Sequence, residues 1–303
     1  MLLITAAAAC HGRSPAPPAS PSPTGLELTS SASLVTPASS EYSEIRLAVS
    51  PDGATMIWGS TNRPGGPGGW DLWMSHRAGD GWTAPAPVPV DTAANEFDPA
   101  FSPDGGRLYF FSNRAGGLGG DDLYRVAVTD DGFGPVEHLD GNVNSAGDEW
   151  APTPTADGGL LFATDGRGGA GRHDLFVARA AGDGFAPAAP LPGAINTAAD
   201  EFDAALIADQ GIVFARSTDV ERDPIDLVYA ARGPAGYDVG APLPATINVA
   251  GGYTLGPSLD ATDPGVLYFS GQRPEVSAGT MDLYRVRFRP AVPTLQKPSS
   301  LPP

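Results

Sequence analysis

Near-copies of one short unit recur along the chain at an almost fixed interval. Residues 44–53 read EIRLAVSPDG, residues 96–105 read EFDPAFSPDG, and residues 149–158 read EWAPTPTADG. Weaker copies lie at 201–211 (EFDAALIADQG) and 254–260 (TLGPSLD). Downstream of each comes an Asp-Leu pair, with the aspartates Asp71, Asp122, Asp174, Asp226 and Asp282 spaced by 51, 52, 52 and 56 residues. A period of this length marks a supersecondary unit that cannot bury its apolar face alone and needs neighbours to do so. The 303 residues therefore read as one assembly of units rather than a string of separate domains.

The second copy shows the unit most clearly. Residues 96–101 predict a short strand, and Ser102-Pro103-Asp104-Gly105 a tight turn, since Pro presets φ while Asp and Gly tolerate the bend. Residues 107–112 (RLYFFS) predict a strand buried on both faces. After a Gly-rich loop, residues 122–128 (DLYRVAV) alternate as a strand with one wetter face, and 135–139 supply a short outer strand. Second strands are expected elsewhere at 55–60, 160–164, 212–216 and 266–270, and third strands at 71–75, 174–178, 226–230 and 282–287. Fourth strands are expected at 82–88, 185–191 and 237–243. Four antiparallel strands growing more polar outward describe a propeller blade. The fifth copy lacks its own fourth strand, and residues 26–35 (LELTSSASLV) stand where one is needed. Borrowing it closes the ring and removes an exposed edge. The expected fold is all-β: a β-propeller over residues 25–289, of five four-stranded blades closed by an N-terminal strand. A leader and tether occupy 1–24, and a Pro-rich tail 290–303.

The run Ser102-Pro103-Asp104-Gly105, Leu108-Tyr109-Phe110, Ser112-Asn113-Arg114, Asp122-Leu123-Tyr124 resembles the WD40-like repeat of TolB-type propellers. The resemblance spans residues 41 to 288 and implies the fold strongly. For function it implies only a range, because such propellers bind, scaffold or accompany enzymes. The fourth copy departs from the pattern, with STDVERDP at 217–224 in place of the Gly-rich loop.

A formal charge of −17 argues against nucleic acid as a partner. No run of apolar residues is long enough to predict a membrane-spanning helix. Residues 1–12 (MLLITAAAACHG) contain the only cysteine, Cys10, after a short apolar stretch, and a Ser/Pro-rich segment at 14–24 follows. This looks like a lipoprotein signal, although no Lys or Arg precedes the stretch. It implies export, lipidation at Cys10 and a periplasmic or cell-surface location. The membrane is then touched only through that anchor, and the chain is expected to be a monomer.

Glu44, Glu96, Glu149 and Glu201 hold equivalent places, with Thr254 in the fifth copy. First strands line a propeller's channel, so these carboxylates can ring one mouth and hold Ca²⁺ there. The structural alternative, which we favour for a residue repeated blade after blade, is that each caps backbone. Each can also pair with a neighbouring blade's arginine, from among Arg63, Arg114, Arg167 and Arg273. The five repeated aspartates are expected to accept N–H bonds from the preceding loop. The loops at 64–69, 115–120 and 166–171 lack the lysine and helix of a phosphate cradle and read as turns. His11, His76, His138 and His173 occupy unlike places and give no Cys/His zinc set. Asp98 and Asp203 break the repeat, since Arg46 and Ala151 take the matching places. They are the candidates if the chain is a glycan hydrolase, which needs two carboxylates in unlike surroundings. Among the tryptophans, Trp70 on a Gly-rich loop is the candidate for partner contact. The sequence favours a non-catalytic platform that engages an envelope protein or glycan, with the hydrolase as the second reading.

Overall fold

The computed structural model describes residues 25–208, 210–273 and 279–290. The leader with Cys10 and most of the Pro-rich tail lie outside them. Five antiparallel sheets form a five-bladed β-propeller, and in each the strands follow the chain outward from the centre. Innermost are Glu44–Val49, Glu96–Phe101, Glu149–Pro154, Asp200–Ile207 and Thr254–Leu259. Each packs against the next, and the fifth against the first, closing the ring. Among the described residues no helix is long and apolar enough to cross a membrane.

The closure has the expected origin. Leu26–Leu28 pairs antiparallel with the last strand, Leu28 opposite Phe288, and Ser33–Leu34 pairs with Arg285 and Tyr284. The single strand expected over 26–35 is thus two pieces. Outer strands are also split in blades one, three and four, into Gly81–Trp82 with Ala86–Pro87, Gly184–Phe185 with Ala189–Pro190, and Gly236–Tyr237 with Ala241–Pro242. Pro85, Pro87, Pro187, Pro190 and Pro242 cannot donate to a ladder, and only an edge tolerates them. Blade two alone keeps a continuous outer strand, Gly132–His138.

Repetition of the core explains the repetition of the sequence. Trp58, Phe110, Phe162, Phe214 and Phe269 take the same place in successive second strands, each 0% exposed. Leu72, Leu123, Leu175, Leu227 and Leu283, the leucines of the Asp-Leu pairs, are equally buried. Each such side chain stabilises the blade by roughly 1.5–3 kcal/mol relative to an exposed one.

Every inner strand also carries an irregularity that the sequence pattern does not display. Its register with the second strand slips at the same point in each blade. There the backbone turns left-handed, with φ of 41° at Arg46, 48° at Asp98, 53° at Ala151, 48° at Asp203 and 60° at Gly256. These five bulges face the hub of the ring.

Candidate functional site

The four repeated glutamates are fully buried, and each is turned toward its own blade. Backbone N–H groups of Ser40, Thr92, Ser145 and Thr197, four residues ahead, donate to Glu44, Glu96, Glu149 and Glu201. The hydroxyls of the same four residues donate to the other carboxylate oxygen. Ser60, Ser112 and Thr164, at the ends of second strands, donate to the first three. In blade five Thr254 replaces the glutamate and Val249 the hydroxyl, so both halves of the clasp are lost together. Burial raises Glu44 to about 7 against the pull of the Ser40 bonds, and burial likewise raises Glu149 and Glu201.

The arginines grip the same inter-blade loops. Arg114 pairs at 2.9 Å with Glu96 of its own blade, not of a neighbour, and also donates to the carbonyl of Val90. Arg167 donates to Val143 and Arg273 to Ile247, the corresponding carbonyls. In blade four the role falls to Arg216, which pairs with Glu201 at 2.8 Å and donates to Ile195. Sequence reasoning missed Arg216 because it stands at the end of the strand rather than in the loop. Arg63 lies 4.7 Å over the ring of Trp73.

The repeated aspartates sit under the Gly-rich loops. Asp71 accepts from Gly68, Asp122 from Leu118 and Gly119, Asp174 from Gly171, and Asp282 from Gly279. A Cβ on Gly66, Gly117 or Gly169 would stand 2.0, 1.8 or 1.8 Å from an oxygen of the aspartate below, so glycine is obligatory there. Asp226, under the loop that lacks those glycines, is half-buried, and burial raises its pKa.

At the hub the bulges bring Arg46, Asp98 and Asp203 together, 2%, 4% and 3% exposed. Arg46 crosses the channel to donate to the carbonyls of Pro152 and Ala204 and to the hydroxyl of Thr153. Its Nη1 lies 3.8 Å from Asp203, whose other oxygen accepts from the Gly256 N–H. Asp98 and Asp203 lie close enough for their charges to interact, and Asp98 Oδ1 is buried without a hydrogen-bond partner. Burial raises both carboxyls, and for Asp98 the Asp203 charge adds to the rise. The arrangement with least uncompensated charge has Asp98 protonated beside an Asp203 carboxylate that Arg46 balances. Toward the mouth formed by the Ser-Pro-Asp-Gly turns, a cavity of about 190 Å³ opens beside this cluster, lined by Ala48, Pro99, Ala100, Thr153 and Ser258.

The opposite mouth, where the Gly-rich loops lie, carries a row of aromatic rings, of which Trp70, Phe97 and Trp150 are half-buried and Phe111 is buried. Trp70 lies 5.2 Å from Phe97, Phe97 is stacked 4.8 Å from Phe111, and Phe111 is 6.4 Å from Trp150. Trp150 donates its indole N–H to Asp121 and stacks on His173 at 3.9 Å. Among the tryptophans the sequence pointed to Trp70 alone, and Trp150 joins it while also packing against the core. Phe97 and Trp150 directly follow their glutamates, and that offset was the signal for the row.

No family model matches this sequence, and no curated protein matches it. Solved structures do resemble it. A glycoside hydrolase superposes with a TM-score of 0.53 at 12% identity, covering 92% of this protein and 96% of that one. The native arabinanase of Bacillus subtilis gives 0.51 at 12% identity, covering 84% and 95%. TolB from Acinetobacter baumannii gives 0.49 at 14% identity over 82% of this protein, which spans just over half, 56%, of the TolB chain. At such identities the likeness is one of fold.

Proposed function

We propose that the chain is a non-catalytic binding platform of the cell envelope, and that its partner is a neutral glycan held on the Gly-rich-loop face. The aromatic row from Trp70 through Phe97 and Phe111 to Trp150 carries this reading. Partly exposed rings such as Trp70, Phe97 and Trp150 can stack on the apolar faces of sugar rings, and the nearby Asp121 and Asn95 offer polar partners for hydroxyls. A net charge of −17 disfavours anionic polymers on the same face. Export, a lipid anchor at Cys10 and a monomeric state complete the proposal, consistent with the TolB-type repeat that the sequence resembles.

Affinity electrophoresis in gels containing neutral or acidic polysaccharides tests it. Retardation by a neutral polysaccharide, weakened about 10-fold or more in Trp70→Ala and Trp150→Ala, is expected. Unchanged mobility with every neutral polysaccharide overturns the reading.

The hydrolase reading keeps one specific observation in its favour, the meeting of Asp98 and Asp203 in the channel. Against it, the two carboxyls are buried in the hub, 4% and 3% exposed, and not set in an open cleft that a glycosidic bond could enter. Both also lie beside Arg46. Reducing-end release from the retained polysaccharide that disappears in Asp98→Asn would establish the hydrolase instead.

A further inference from the structure

We propose that Asp148, Asp165 and His173 form a binding site for a divalent metal ion of the zinc class. The three come from separate segments: the residue before the third blade's inner strand, the residue after its second strand, and the residue before its third strand. One ligand atom from each lies within 4.8 Å of the other two.

The histidine makes this more than a cluster of acids. His173 is 0% exposed, and its Nε2 is buried without a hydrogen-bond partner, 4.0 Å from Asp165 Oδ2. Its Nδ1 lies 3.3 Å from Asp200 Oδ1. A carboxylate only accepts, so that bond puts the ring proton on Nδ1 and leaves the Nε2 lone pair facing the two aspartates. Carboxylate to imidazole to metal is the arrangement in which an outer carboxylate orients a ligating histidine. Asp200 is itself fixed by the N–H groups of His173 and Val220, and Trp150 stacks on the imidazole 18° from parallel.

The carboxylates are equally prearranged. Asp148 Oδ1 accepts from the Asp121 N–H and Asp165 Oδ1 from the Asp148 N–H, which leaves Asp165 Oδ2 turned to the imidazole. A Cβ on Gly120 would lie 2.2 Å from Asp148 Oδ1, and one on Gly147 2.2 Å from Asp165 Oδ1. The backbone is therefore bare where the acids tuck in. Arg172 approaches Asp165 at 3.9 Å, but its close partner is Glu221 at 2.8 Å and its side chain is half exposed, so it can swing away. Ligands around four-coordinate zinc stand about 3.4 Å apart, so side-chain rotations of about 1 Å complete the site. One nitrogen with two carboxylates suits Zn²⁺ better than Ca²⁺ or Mg²⁺, which prefer oxygen alone. Three protein ligands leave a coordination place for water.

The test is calorimetric titration of the full chain, stripped with EDTA and exchanged into clean buffer, with ZnCl₂ at pH 7. CaCl₂ and MgCl₂ serve as comparators. One Zn²⁺ per chain is expected, with quenching of Trp150 fluorescence that is absent in Trp150→Phe. His173→Gln is expected to weaken binding about 100-fold or more, and Asp200→Asn, through the imidazole, about 10–100-fold. Should His173→Gln fail to fold by circular dichroism, Asp165→Asn takes its place with the same expectation. No Zn²⁺ uptake, equal uptake by the variant, or tighter binding of Ca²⁺ than of Zn²⁺ overturns the assignment.

Discussion

Asp91 shows how one residue can run against its own repeat. The corresponding places hold Asn144, Asn196 and Asn248, and each of the four accepts the N–H of its blade's buried leucine. Asn144 and Asn248 also donate their amides to two carbonyls apiece, whereas Asp91 Oδ2 is buried without a partner. Burial raises Asp91 to about 8, with Glu96 and Asp71 adding to the rise against the Leu72 bond. The folded chain thus keeps a proton that the unfolded chain releases near the ordinary 3.8. Stability falls as pH climbs between those values and levels off above the upper one. Asp91→Asn removes the loss and supplies the missing donor. It should raise stability by roughly 1–3 kcal/mol at pH 8 and by less at pH 5, by urea unfolding at both. An equal effect at the two pH values would show that Asp91 is ionised in the fold.

At the scale of strands and loops, the turn sequences were legible because each has a local cause. The Gly-rich loops read correctly as turns, but their deeper constraint is the carboxylate beneath them, which no local pattern displays. Gly117→Ala drives a Cβ to 1.8 Å from Asp122, whereas a Cβ on Gly141 meets nothing within 4 Å. The first substitution should cost about 2–4 kcal/mol and the second less than about 0.5, read from thermal melts. Equal costs would mean that the loop yields freely and that the aspartate clasp is slack. The bulges were hidden for another reason. Arg46 and Ala151 are poor left-handed residues, so nothing in their chemistry announces the turn that aims Arg46 into the hub. The Asp148–Asp165–His173 cluster was hidden because it exists in one blade only. Trp70 and Asp121 occupy the place of His173 in blades one and two, so a reading that averaged the copies discarded it.

The whole ring is held in two ways, and they fail differently. From the hub, Arg46 ties blade one to blades three and four and Asp203 ties four to five, while Asp98 of blade two is buried beside them. At the rim, the N-terminal pieces Leu26–Leu28 and Ser33–Leu34 cover the last strand, and Leu26 packs into the core shared by the third, fourth and fifth blades. Removing residues 1–35 leaves the hub intact but uncovers the edge at Tyr284 and Phe288. The lost burial of Leu26 and Leu34 amounts to roughly 2–5 kcal/mol, and an unpaired edge invites pairing with another chain. The truncated chain should melt several degrees lower in one transition and elute as larger species in size-exclusion chromatography. Two transitions would instead mean that blade five unfolds alone, with the hub bonds too weak to couple it to the rest. An unchanged melt with unchanged elution would mean that the hub residues hold the ring without its N-terminal strand.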